Sequence, residues 1–339
     1  VKHLFIFAIV ALLFCSCGED EAAVEQYNPY LDLPSTPYDY ASLPLNAPHS
    51  SNDNSPLNNR VTNDGATLGR VLFYETALSE NDAISCASCH KQEFAFADNV
   101  AKSQGVNGQT LMNSMHLVNV RHAKPALFWD FRTENLETQT LMPIQDHIEM
   151  NLTLEEAVAK LNIKPYYPEL FLKAFGSPHI TTDRISKALA QFVRSLNSYN
   201  SPYDRGVPRT TQEQLGFEKF IEGTADPSNP DAASCSECHS SIQQMEFDHQ
   251  GLPNLAFPLG ANGRGFEDTP QLKKVANIRN VALTAPYGHD GRYATLDELL
   301  QHHGNDVSEE DRVHLIAFLK TLTDESFIGD KKFSNPFRK

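Results

Sequence analysis

Hydrophobic positions along this chain recur mostly at helical spacing. Ile185, Leu189, Phe192, Val193 and Leu196 fall on one face of a helix expected over residues 183 to 197. Four more helix starts are marked by Ser or Thr followed three residues later by an acid or amide, the spacing of a capping box. They are Thr153 with Glu156, Thr211 with Gln214, Thr295 with Glu298, and Ser308 with Asp311. Few stretches alternate apolar and polar, so no long strand is expected. Two stretches depart from the helical pattern. Leu4 to Phe14 is a continuous apolar run behind Lys2 and His3, too short to span a bilayer but the right length for the core of an export signal. Residues 19 to 60 are rich in Pro, Ser, Asn and Asp without periodicity and read as an extended tether.

Length and composition sharpen this. With 339 residues, of which 40% are hydrophobic and 21% charged, the chain can build about two domains with real cores. A net charge of −15 argues against a nucleic-acid binder, which needs clustered cations to displace counterions. The six cysteines, at 15, 17, 86, 89, 235 and 238, come as three close pairs rather than the scattered set of a disulfide framework. The first pair ends the apolar run. There Ser16-Cys17 resembles a lipoprotein signal: Cys17 would become the lipidated N-terminus, the small Ser16 suiting it better than Phe14 suits Cys15, and an ordinary signal cut nearby is the alternative. The expected layout is a lipoprotein signal over 1–17, a flexible tether over 18–58, a first domain over 59–200, a second over 201–327 and a tail over 328–339.

The other two pairs carry the chemistry. Cys86-Ala-Ser-Cys89-His90 and Cys235-Ser-Glu-Cys238-His239 both have the spacing by which two thiols bond to the vinyl groups of a haem while the next imidazole ligates the iron. A four-Cys zinc site or two thioredoxin-like redox pairs would use the same cysteines, but neither needs a His directly after each pair. Two covalent haem c groups are therefore expected. In a chain this long they leave room for a reaction pocket.

The residues around these motifs resemble the bacterial di-haem cytochrome c peroxidases, including the branch that matures protein-derived quinone cofactors by oxidising a partner protein. The likeness runs through Leu68 to Phe73, Ile84 to His90, Phe128 to Arg132, Pro143 to Met150, and Asn277 to Gly291 followed by Thr295 to Glu298. The resemblance implies a mainly α fold of two cytochrome c-like domains with one haem each and a calcium ion between them. It makes the N-terminal haem on Cys86, Cys89 and His90 the peroxidatic one, and the C-terminal haem on Cys235, Cys238 and His239 the entry point for electrons. It assigns Gln139, Pro143 and Glu149 to the distal pocket, with Glu149 as general acid–base. Trp129, the only tryptophan, becomes an electron relay between the haems. The Asn113 side chain with the carbonyls of Thr284 and Pro286 is implied as the calcium site, an all-oxygen set suited to a hard cation. His147 stands where the family usually has Pro, and Arg279 is expected to meet a haem propionate.

Two departures bear on mechanism. Where many family members carry a His that caps the peroxidatic iron, this chain has Val106 and Asn107, so that iron is expected to be five-coordinate, with His116 the nearest substitute ligand. Fourteen residues after His289, where relatives carry Met or Tyr, stands His303, expected to complete bis-His ligation with His239. The activity implied is reduction of hydrogen peroxide with electrons from a small cytochrome c or cupredoxin. Oxidation of Trp or Tyr residues of a protein partner is one alternative, and a non-catalytic electron-transfer or sensing cytochrome is another. The expected location is the periplasm, with membrane attachment only through the lipid on Cys17. A homodimer is among the assemblies the resemblance allows.

Overall fold

The computed structural model describes residues 28–47, 53–122, 127–223, 234–239, 273–303 and 307–338. The export and lipid signal, with Cys17, lies outside the described residues.

The fold is mainly α. Among the described residues the only sheet is a hairpin of two-residue strands, Gln104–Gly105 and Gly108–Gln109. The helix Thr182–Ser195 buries Ile185, Leu189, Phe192 and Val193, with Leu196 as its C-cap. Thr153 and Glu156 form a complete capping box on Leu154–Asn162, while Thr295 and Ser308 accept the N–H groups of Glu298 and Asp311 at the heads of Leu296–His302 and Glu309–Lys320. The fourth start falls one residue earlier than its spacing indicated. Thr210 caps Thr211–Glu222 because the Glu213 carboxylate reaches back to the Thr210 N–H, whereas Gln214 turns outward to Glu218.

Buried side chains form two main clusters. One is drawn from residues 31–196 together with Phe327 and Phe333, and the other from residues 203–322. Each is organised by one close helix crossing. A Cβ at Gly69 in Asn63–Tyr74 would collide with the Ala188 carbonyl of Thr182–Ser195, and a Cβ at Gly216 in Thr211–Glu222 would collide with the His314 carbonyl of Glu309–Lys320. Glycine lets the backbones touch, and the same device serves both halves.

The duplication extends to the loops. Leu127 pairs with Thr133 as an isolated bridge closing one loop, and Tyr287 pairs with Tyr293 closing another; each is followed by a capped helix starting at Leu136 or Leu296. Within them Asp130–Arg132 and Asp290–Arg292 form equivalent ion pairs of 3.0 and 2.7 Å. Positive φ occurs at Phe128 and Phe131 in the first loop and at Gly288 and Gly291 in the second. Bulky residues enter that region at a cost, so the first loop holds strain that the second avoids. The two loops also bind each other's flanks reciprocally: Asn113 N–H donates to the His289 carbonyl and Lys274 N–H to the Trp129 carbonyl, both at 2.9 Å.

Two expectations need correcting. Residues 28–47 are not a loose tether. Leu31 and Tyr40 are 1% and 2% exposed, Leu31 bridges Phe337, and the Tyr40 hydroxyl donates to the Lys332 carbonyl at 2.6 Å. Residues 328–338 are not a free tail either, since Phe333 is 1% exposed in the first cluster and the buried Arg70 guanidinium donates to the Lys331 and Lys332 carbonyls. A Pro-rich strap can still pack when it carries large apolar anchors, and these two segments clasp each other across the first half.

Candidate active site

The first Cys-x-x-Cys-His opens a single helical turn, Cys86–Cys89, capped by Ser85 and followed by His90. Ala95 and Phe96, both left-handed, reverse the chain and bring the Phe96 carbonyl onto His90 Nδ1 at 2.9 Å. Such a bond fixes the ring and leaves Nε2 directed away from it, as a metal-binding imidazole requires. In the second half His239 Nδ1 donates to the Ala276 carbonyl at 3.0 Å in the same way. Burial pushes Cys86 up to about 12 and Cys89 and Cys235 up to about 11. These are the opposite of the low values of redox-active Cys pairs. The two pairs also pack against different hydrophobic clusters, which removes a shared zinc site.

Beside His90 lies a cavity of about 310 Å³. Cys86, Cys89 and His90 line it together with Gln139, Pro143, Glu149 and Trp129, so the residues assigned to the first reaction site meet in one place. Gln139 ends the turn Leu136–Gln139, and Pro143 sits in the first turn of Met142–Gln145. Glu149 is held by its backbone. Asp146 Oδ1 accepts the N–H groups of Ile148 and Glu149, and the hairpin tip closes over them, Val106 N–H donating to the Glu149 carbonyl at 2.9 Å and Asn107 N–H to that of Ile148 at 3.1 Å. Gly105 is needed there, because a Cβ would collide with the Ile148 carbonyl. Val106 and Asn107, at the register where the resemblance points to a capping His, thus form the clamp on the Glu149 loop.

Burial pushes the Glu149 carboxyl up to about 6, with neighbouring Asp146 adding to the shift and Arg132 opposing it. His147 points away: it is exposed, bonded to Asn151, and does not line the cavity. His116 does line it, but its Nε2 donates to the Asn277 carbonyl at 2.8 Å, and burial lowers the ring to about 4. Trp129 is 9% exposed, with Nε1 donating to the Asn113 carbonyl at 2.9 Å.

At the second site the His239 and His303 rings face each other with centres 6.0 Å apart. Two imidazoles on one first-row metal ion, with metal–nitrogen bonds of about 2 Å, put their centres roughly 6 Å apart, so the spacing fits an iron between them. His303 caps the end of Leu296–His302, while His302 turns away and stacks on Tyr293 at 5.7 Å. The residues of both sites therefore fit haem c. Arg279, expected at a propionate, is 2% exposed, paired with buried Asp204 and laid over the Tyr199 ring at 4.9 Å, while its Nε has no acceptor among the described residues.

Known proteins resemble this chain over most of its length. A family profile described as di-haem cytochrome c peroxidase matches residues 63–213. The methylamine utilization protein MauG of Methylophilus methylotrophus is 30% identical over 79% of this chain and 85% of its own length. The cytochrome c551 peroxidase of Nitrosomonas europaea is 33% identical over 77% and 80%. The chain belongs to the di-haem cytochrome c peroxidase family. Among solved structures, a MauG-like protein associated with microbial copper homeostasis superposes with a TM-score of 0.69 at 30% identity, covering 87% of this chain and 98% of that one. As a di-haem peroxidase the chain carries two haem c groups and is a peroxide-reducing oxidoreductase.

Sequence reasoning missed Lys274, which also lines the first cavity, and the Phe131/Gly291 asymmetry of the duplicated loops. Aligning the two loops residue by residue would have exposed the second, but nothing local marks the first.

Proposed function

We propose that this peroxidase takes electrons from a small cytochrome c or cupredoxin at the C-terminal haem, held by Cys235, Cys238, His239 and His303, and reduces hydrogen peroxide at the N-terminal haem, held by Cys86, Cys89 and His90. Each turnover consumes two electrons and two protons and releases two waters. When bound, the N-terminal haem supplies the metal centre at which the O–O bond breaks. Glu149 takes the proton from the inner peroxide oxygen and returns it to the outer one, Gln139 orients the peroxide by hydrogen bonding, and Pro143 keeps the distal face free of any ligand. The observation that carries this reading is the convergence of Glu149, Gln139 and Pro143 on the cavity beside His90. Trp129 joins the two halves through its carbonyl, which accepts the Lys274 N–H, while its indole is held by the Asn113 carbonyl of its own half; it serves as the electron relay.

The two hydrophobic clusters support two domains divided near residue 200, proposed over 59–200 and 201–327, with Leu31, Tyr40, Phe327 and Phe333 packing into the first. A calcium ion fits between them on Asn113 Oδ1 and the carbonyls of Thr284 and Pro286. In its support, Asn113 Nδ2 donates to the Val100 and Ala101 carbonyls, which leaves Oδ1 as the acceptor, and its N–H anchors it to the turn bearing those carbonyls. Export to the periplasm with a lipid on Cys17 completes the reading.

A second reading, peroxide-driven oxidation of Trp or Tyr residues in a partner protein, is favoured by the likeness to MauG proteins and by a second-haem ligand that is not Met. Peroxide turnover with reduced cytochrome c separates the two. Steady consumption supports the peroxidase, whereas negligible turnover with accumulated oxidation of an added partner protein supports the alternative, and neither result leaves an electron carrier.

A further inference from the structure

Among the described residues the buried arginines are balanced by groups on the chain. Arg194 pairs with Glu137, Arg121 with Asp53 and Arg279 with Asp204, and the Arg70 guanidinium sits on two carbonyls. Lys274, half-buried, differs from them. Its side chain lines the first haem cavity, yet it has no acidic partner or hydrogen-bond acceptor among the described residues. Desolvation alone bears on its charge and lowers it to about 8.

The carboxylates of the cavity do not serve it. The charges that act on Glu149 are Asp146 and Arg132, and Arg132 is itself paired with Asp130. Lys274 instead lies near His116, whose charge it disfavours, at the edge where the second half enters the cavity. Its backbone is fixed there, N–H to the Trp129 carbonyl at 2.9 Å, with the Asn277 carbonyl three residues on holding His116. An ammonium held at an apolar cavity wall without a counter-charge is costly, so the position calls for an anion from the occupant.

We propose that Lys274 is the counter-ion of a carboxylate of the N-terminal haem, and that through it the second half of the chain sets the reduction potential of the haem in the first. The assignment rests on haem occupying this cavity. A cation beside the macrocycle favours the reduced iron, which carries one positive charge fewer, so its removal lowers the potential. Lys274 is here a positioning and tuning residue. Its placement next to the Trp129 carbonyl puts this charge on the route between the haems.

The test is spectroelectrochemistry of the holoprotein and its K274Q and K274R variants, with covalent haem counted separately by pyridine haemochrome. K274Q is expected to shift the reduction equilibrium of the N-terminal haem about tenfold toward the oxidised form, roughly 59 mV for a one-electron couple. The C-terminal haem should not move, and K274R should stay near wild type. An unmoved N-terminal potential in K274Q with two haems attached overturns the proposal, as does K274R falling as far as K274Q. Should K274Q fail to fold, K274R carries the test alone. A displaced propionate-bending frequency in its resonance Raman spectrum supports the contact and an unchanged one overturns it. A wild-type chain with fewer than two covalent haems would overturn the reading of the site as well.

Discussion

Replacing Glu149 by Gln keeps the side chain's shape and its place in the Asp146 turn but removes the only carboxylate that the hairpin clamp presents to the cavity beside His90. With its carboxyl at about 6, Glu149 is roughly nine-tenths ionised at pH 7 and about one-tenth at pH 5. A base acts only when ionised, so the rate constant for peroxide should fall about tenfold between pH 7 and pH 5 in the wild-type enzyme. Loss of a positioned general acid–base then costs ~10²–10⁴ at pH 7, and the acid limb disappears with it. Stopped-flow mixing of the holoenzyme with peroxide across this pH range, followed at the haem absorption band, reads both effects. Retention of the wild-type rate in E149Q would refute the assignment. So would a pH limb near 6 that survives the substitution, because the titrating group would then lie elsewhere.

Other positions test separate parts of the argument. His303→Met should raise the potential of the C-terminal haem and introduce a thioether charge-transfer band in the near infrared, and a wild-type protein already showing that band would rule out His303 as ligand. Pro143→His should convert the N-terminal iron to a six-coordinate low-spin form, seen by EPR, and suppress peroxide turnover; a spectrum that stays high-spin would show that Pro143 does not face the metal. Trp129→Phe removes the indole bond to Asn113, worth about 1 kcal/mol, and should slow electron passage between the haems while leaving both haem spectra unchanged. Gly69→Ala and Gly216→Ala each force apart a helix crossing and should destabilise the protein by about 1–3 kcal/mol in denaturant unfolding; a neutral result at either would mean that the crossing yields.

Much of the site was legible because haem attachment and helix capping are local. The two Cys-x-x-Cys-His motifs, the caps at Thr153, Thr295 and Ser308, and the buried face of Thr182–Ser195 follow from short spacings. What escaped depends on contacts between distant segments. Leu31 and Tyr40 sit in a Pro-rich stretch whose composition suggests solvation, yet their partners are Phe337 and the Lys332 carbonyl some 300 positions away. Arg279 likewise finds Asp204 across a long stretch of chain, a pairing that no local spacing announces. Thr210 displaced Thr211 as a cap because a carboxylate at Glu213 competes better for an orphan N–H than the amide of Gln214.

The two halves are variants of one unit, and their differences divide the labour. Trp129 and His289 hold equivalent places in the duplicated loops, and fourteen residues after each stand Pro143 and His303. On the proposed reading, imidazole at that register closes a metal site between the His239 and His303 rings, whereas proline has no side-chain donor and would leave the equivalent position open. A closed site suits electron entry, since nothing must bind or leave; an open one suits peroxide. The strained Phe128 and Phe131, where the second loop has glycines, then fall on the open side, with the Phe128 ring lining the cavity under Arg132. On the proposed reading, strain is retained at Phe128 because glycine would surrender the aromatic wall that keeps Glu149 desolvated, in the range where a carboxyl can both take and return a proton.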